Sequence, residues 1–277
     1  MFLLQSAFII PLFLFAAFFA GYRLSGLLKL LFPRFKKLIF WIIYPLFPIC
    51  FIIPSYLPTS RFDKFLFNIG CDYMGLLIIT IMLLMLVEFI RFILFIFHRL
   101  PKKGEQRRKA HIIVGLTVCI ISASVFGYGM INADTIDTKE YSININKECK
   151  IDNLKIAMIA DFHFGYQENA NKAESVVEAI NDQNVDIVFF VGDTFDGDLD
   201  EVFDLTRIQD VLSNIKSKYG VYACMGNHDI YTADLERFFS ECNINLLTDD
   251  TLLIEDSFYL VGRNDRSLET FKREDRT

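Results

Sequence analysis

Histidine is scarce in this chain, 4 in 277 residues, and none follows His228. Acidic residues are scarce in its first part. Residues 1–133 hold 4 Asp+Glu against 14 Lys+Arg, a net of +10, whereas residues 134–277 hold 30 against 14, a net of −16. Two stretches so different in charge are built for different solvents. Cysteine is sparse as well, with 6 residues and no CxxC pair. Cys50, Cys71 and Cys119 lie in or beside apolar runs, and Cys149, Cys224 and Cys242 lie in the acidic half. Three thiols cannot all pair within one domain, so a disulfide framework is not indicated, although a single Cys149–Cys242 bridge stays open. The acidic half has no basic patch that could release phosphate counterions, so nucleic acid is not an expected partner. No internal repeat or low-complexity segment is present.

What the first part does have is apolar length. Residues 2–20 are almost wholly apolar and long enough to cross a bilayer. No positive side chain precedes them, and Arg23, Lys29, Arg34, Lys36 and Lys37 follow, the reverse of a secretory signal peptide. Further runs cover 38–57, interrupted by three prolines, then 74–97 and 112–131. Region 1–133 is therefore expected to be transmembrane, with about four spans. Glu88 and Arg91 are spaced to pair on one helical face near the end of the third run. As the only charges within the runs, and with no paired broken helices evident, they give little support to a transporter. The loop after the first run has five basic residues and no acid, and 99–109 has six basic residues and one acid. By the positive-inside rule both are cytoplasmic. Four spans then put both termini and the acidic domain on the extracytoplasmic side of the cell membrane, in a multi-pass protein. His98 and His111 read as polar residues at span ends.

Residues 134–277 read as a second domain, beginning with a polar tether over 132–139. The alternation of Tyr141–Ile145 predicts a first strand. Three apolar runs then end in clusters of acid and imidazole: 156–160 before Asp161-Phe162-His163, 186–191 before Gly192-Asp193-Thr194-Phe195-Asp196, and 221–225 before Gly226-Asn227-His228-Asp229. Polar periodic segments at 169–183 and 200–218 predict helices between them, and 232–242 a third. Further short strands are expected at 246–247, 252–254 and 258–261. This is an α/β pattern with a largely parallel sheet, in which ligands gather beyond the carboxyl ends of the strands. Asp161 and His163, two apart past a strand, can leave the backbone on one side and grip one metal ion. Asp193 follows a glycine that permits a tight turn, so its carboxylate can bridge two ions. Asn227 offers a neutral amide oxygen, His228 is free to face a substrate, and Asp196 can orient that imidazole. Mixed Asp, His and Asn ligation suits manganese, iron or zinc.

Asp161-x-His163, Gly192-Asp193-x-x-Asp196 and Gly226-Asn227-His228-Asp229 resemble, in order and spacing, the first three motifs of the calcineurin-like metallophosphoesterase superfamily. The membrane-anchored bacterial branch is the nearest likeness. The resemblance implies a β-sandwich flanked by helices and a two-metal phosphoesterase. Asp161 and His163 would bind the first divalent ion, Asp193 would bridge, and Asn227 would bind the second. His228 would stabilise or protonate the leaving group with Asp196 behind it.

The departure lies after His228. Similar sites in that superfamily add a later lone His and a Gly-His-x-His, which this chain lacks. The short run of strands after 246 agrees, so the sequence reads as an amino-terminal portion of the domain, incomplete at its carboxyl end. The expected partners are the lipid bilayer and a phosphomonoester or phosphodiester, with a lipid-linked or cell-envelope ester favoured by a position beside the membrane. The alternative is a non-catalytic polytopic membrane protein carrying a degenerate phosphoesterase domain.

Overall fold

An apolar run becomes a helix in a membrane because only the helix satisfies every backbone group internally. The computed structural model describes residues 2–52, 61–101, 104–133, 135–165, 170–202 and 204–267. The chain divides into two compact units, Met1–Thr135 and Ile136–Thr277.

The first unit contains three helices of membrane length, α1 (Phe2–Leu31), α4 (Arg61–Ile96) and α5 (Glu105–Ala133). Within them Ile9–Leu31, Phe65–Ile96 and Glu105–Ala133 are long and apolar enough to cross a bilayer. The expected second span is not such a helix. Its described part is two seven-residue pieces, α2 (Lys37–Ile43) and α3 (Leu46–Ile52), and residues 53–57 lie outside the described residues. Pro45 has no N–H to continue the ladder from α2, so the helix stops at Tyr44 and restarts beyond the proline. Each piece is about 10 Å long, against a hydrocarbon core of about 30 Å. The first helix also outruns its expected end at residue 20, because Arg23 and Lys29 can extend their charged heads away from the apolar stem.

Side-chain contacts give the path of the first unit. Phe13 meets Tyr73, and Arg23 pairs with Glu88 at 2.9 Å, so α1 and α4 run in the same direction. Trp41 packs on Phe18 and Phe51 on Phe13, while the Tyr44 hydroxyl donates to the Ala17 carbonyl at 3.0 Å. The broken segment α2–α3 therefore returns along α1. Helix α5 runs against α4, with the Thr80 hydroxyl donating to Ser122 at 3.1 Å. The Glu88–Arg91 pair forms as its spacing predicts, at 2.8 Å, and Arg23 makes it a triad.

The second unit is built on a parallel sheet of β1 (Ile156–Ile159), β2 (Ile187–Val191), β3 (Val221–Cys224) and β4 (Ile244–Leu246), in that spatial order. The connecting helices are α6 (Ala170–Asp182), α7 (Leu205–Leu212) and α8 (Leu235–Glu241). Sequential strands joined by right-handed crossovers put every helix on one face. Val188, Phe190, Val221 and Ala223 point to that face and form one core with Val177, Ile208 and Phe239. Burying a side chain such as Phe239 contributes about 1.5–3 kcal/mol. The antiparallel ribbon of β5 (Asp250–Ile254) and β6 (Phe258–Gly262) packs its Ile254, Phe258 and Leu260 against Ile187 and Tyr222 on the opposite face. The described residues thus form a helix layer, a four-stranded sheet and a two-stranded sheet packed on its other face.

Two boundaries and one strand differ from expectation. Of 200–218 only Leu205–Leu212 is α-helical, preceded by a short 3-10 turn at Leu199–Glu201 whose first N–H is capped by the Asp198 carboxylate at 2.8 Å. Of 232–242, Leu235–Glu241 is helical. Asn169, the expected start of the first helix, lies outside the described residues. Tyr141–Ile145 forms no strand, and Tyr141 is 86% exposed. Alternation creates an apolar face but not a partner, and a strand exists only where another edge accepts its hydrogen bonds.

The six cysteines are free, so the Cys149–Cys242 bridge does not form. Cys242 is buried on α8, and desolvation pushes its thiol up to about 12. The exposed Cys149 lies 3.0 Å from the Ser257 hydroxyl, and that hydrogen bond holds its thiol below the ordinary value. Iodoacetamide at pH 8 is therefore expected to label Cys149 in the folded protein and Cys242 only after denaturation, which peptide mass spectrometry reads directly.

Candidate metal centre

The β1–β2 ladder does not end with the strands. Beyond them Asp161 N–H donates to the Gly192 carbonyl at 3.2 Å, His163 N–H to Asp193 at 3.0 Å and Phe164 N–H to Thr194 at 2.9 Å. Two loops thus continue side by side with a two-residue alternation. Phe162 and Phe164 turn into the core, where their rings stack at 4.6 Å, and Phe195 enters from the neighbouring loop to meet Phe238 at 4.9 Å. The intervening Asp161 and His163 are left on the outer side. The aromatic residues position the polar ones.

The backbone at Asp161, His163 and Asp193 is left-handed, with φ of 56°, 48° and 53°. Non-glycine residues adopt this region uncommonly, and Asp, Asn and His do so more readily than others. Ligand atoms of Asp161, His163 and Asp193 all lie within 4.8 Å of one another. Atoms bound to one ion at about 2.1 Å can be at most about 4.2 Å apart, so small side-chain rotations suffice to converge them.

The third loop closes over the second. Gly226 sits against Asp193 so tightly that a Cβ there would lie 2.2 Å from Asp193 Oδ1. The missing side chain makes a cradle for that carboxylate, whose Oδ1 also accepts the His228 N–H at 2.9 Å. His228 Nδ1 lies 2.7 Å from Asp196 Oδ1, and its ring stands edge-on to His163 at 4.7 Å. His163, Asp196 and His228 form a second cluster of ligand atoms within 4.8 Å. Asn227, directly before His228, is exposed. The structure therefore gathers Asp161, His163, Asp193, Asp196 and His228 into two overlapping clusters that share His163.

Asp229 is the member to which sequence reasoning gave no role. Its carboxylate is fully buried; Oδ1 accepts the N–H groups of Thr194 and Phe195, and Oδ2 that of Gly226, each at 2.9 Å. Burial pushes this carboxyl above the usual range, while the backbone N–H donors pull it the other way. Its place in the Gly-Asn-His-Asp run was visible, but its burial depends on how two distant loops meet.

The donor set of two carboxylates, an imidazole and an amide beside an oriented histidine fits divalent metal, and it stands beyond the carboxyl ends of parallel strands. These features are those of a candidate metal centre on an α/β sheet. Residues 154–273 match the calcineurin-like phosphoesterase family. Similar proteins include a "Transmembrane protein with metallophosphoesterase domain" of Danio rerio, 32% identical over 123 residues, 43% of this chain and 27% of the relative. An "Uncharacterized metallophosphoesterase" of Campylobacter jejuni is 29% identical over 121 residues, 43% of this chain and 31% of that protein. One of Aquifex aeolicus is 22% identical over 147 residues, 52% of this chain and 55% of that protein. The match thus spans under a third of the first two relatives.

Replacing Asp229 by Asn presents an NH2 group to a backbone N–H in a dry site. Asp229→Asn is expected to cost about 1–3 kcal/mol of domain stability, read as a lower urea midpoint with an unchanged slope.

Proposed function

We propose that this chain is a membrane-anchored, metal-dependent phosphoesterase that hydrolyses a phosphomonoester or phosphodiester with two divalent ions. The observation that carries the reading is the convergence of Asp161, His163 and Asp193 beside the His228–Asp196 pair. Asp161 and His163 would hold one ion, Asp193 would serve both, and Asn227 would bind the second. Manganese, iron or zinc suits these donors, and such ions supply Lewis-acid polarisation of phosphoryl oxygens and acidify an attacking water.

The chain's own residues do the rest. The Asp196 carboxylate accepts from Nδ1–H of His228 and so selects the tautomer and fixes the ring plane. Nε2 is then the atom available to deliver a proton to the departing oxygen. Asp193, locked by the His228 N–H and cradled by Gly226, cannot swing away without disturbing the histidine.

The membrane reading rests on the three long apolar helices. The returning segment α2–α3 would belong to a fourth, broken crossing. Arg108 donates to the Leu30 carbonyl at 3.3 Å, which sets the two basic loops at the same end of the bundle. With that end cytoplasmic by the positive-inside rule, both termini and the domain from about residue 134 would be extracytoplasmic. An ester at that face, lipid-linked or from the cell envelope, is the substrate class this placement favours, and the acidic domain disfavours nucleic acid.

With manganese and p-nitrophenyl phosphate or bis(p-nitrophenyl) phosphate, His228→Ala is expected to lower turnover about 10²–10⁴-fold while metal content stays unchanged. Asp193→Ala is expected to lose both. Equal metal loss in the two variants, measured by elemental analysis, would overturn this division of roles.

A further inference from the structure

Helices α1, α4 and α5, with the start of α2, enclose a cavity of about 960 Å³. One end of it is lined by Arg23, Lys29, Lys37, Arg91 and Arg107, and among the described residues no acidic side chain lines it. Glu88, just outside, binds both Arg23 and Arg91, at 2.9 and 2.8 Å, so one carboxylate serves two guanidiniums. The Lys29 ammonium turns to the Pro33 carbonyl at 2.6 Å, a contact that neutralises no charge. Lys37 and Arg107 have no acidic partner among the described residues. The remainder of the wall is largely apolar, with Leu27, Leu77, Leu84, Val114 and Val118 facing the same space.

Cations at the edge of a hydrocarbon layer are costly without a counter-charge, and basic pockets between membrane helices suit anionic headgroups. A free anion would satisfy the charged end but leave the apolar wall uncovered. A zwitterionic lipid would cover the wall but bring its own cation to a cluster already positive. We propose that the cavity holds one anionic phospholipid, its phosphate among Lys37, Arg91 and Arg107 and its acyl chains along the α1–α4–α5 wall. The inference depends on the first unit lying in a membrane and not on the hydrolytic reading of the second.

The test uses the full chain in detergent, with thermal unfolding and native mass spectrometry as readouts and no activity assay. Dioleoylphosphatidylglycerol is expected to bind one per chain and to raise the unfolding temperature, whereas dioleoylphosphatidylcholine and glycerol 3-phosphate do neither. The double variant Lys37→Gln, Arg107→Gln removes two cations that make no ion pair among the described residues. It is expected to weaken phosphatidylglycerol binding about thirty-fold while unfolding as wild type without lipid. Arg107→Gln alone, expected to weaken binding about five-fold, serves if the double variant fails to fold. Lys109, paired with Glu105 at 3.0 Å and outside the cavity, supplies the control Lys109→Gln, expected to behave as wild type. Equal stabilisation by the two lipids, equal binding of glycerol 3-phosphate, unaltered binding by the cavity variants, or equal weakening by Lys109→Gln would each overturn the proposal.

Discussion

The buried Asp229 carboxylate is the contact on which the rest of the second unit's chemistry depends. By accepting N–H groups from Thr194, Phe195 and Gly226 it ties the loop after β2 to the loop after β3. Hydrogen bonds to a charged acceptor contribute about 1.5–3 kcal/mol each, more than neutral ones. With those loops fixed, the His228 N–H reaches Asp193 and the His228 ring reaches Asp196. Without them, two loops from separate strands have no reason to hold a common spacing. An acid that contacts no ligand thus fixes the geometry of those that could.

The two units meet the problem of buried polarity in different ways. In the second, polar groups are satisfied by backbone N–H donors at strand ends, and aromatic residues between them hold the loops to the core. In the first, proline interrupts the apolar segment α2–α3 and the phenol of Tyr44 bonds the Ala17 carbonyl and the Tyr73 hydroxyl, at 3.0 and 2.8 Å. Polar side chains between membrane helices add specificity where apolar surface alone cannot distinguish a neighbour from lipid. Glu88 does the same with charge by pairing with cations on two helices.

The parallel strands were legible as apolar runs at 156–160, 186–191 and 221–225; β2 and β3 are covered on both faces, whereas Ile156 and Met158 of β1 stay exposed. The cluster at their ends followed from the position of Asp161, His163, Asp193, Asp196 and His228 relative to those runs. Other features were not legible for identifiable reasons. Residues 38–57 were read by apolarity, but continuity of a helix depends on N–H groups, and Pro45 removes one. Tyr141–Ile145 carries the right period and lacks an edge to pair with. The depth of Asp229 is a tertiary property: the same Asp on an open loop would look identical in sequence.

The left-handed backbone at Asp161, His163 and Asp193 narrows the substitutions this site can accept. A β-branched or bulky apolar residue at any of them would strain the loop as well as remove a donor, whereas Asn and Gly fit the same conformation. Backbone shape and donor chemistry therefore act as two filters that pass nearly the same alphabet. An exchange such as Asp to Asn at these positions would alter charge while keeping the loop.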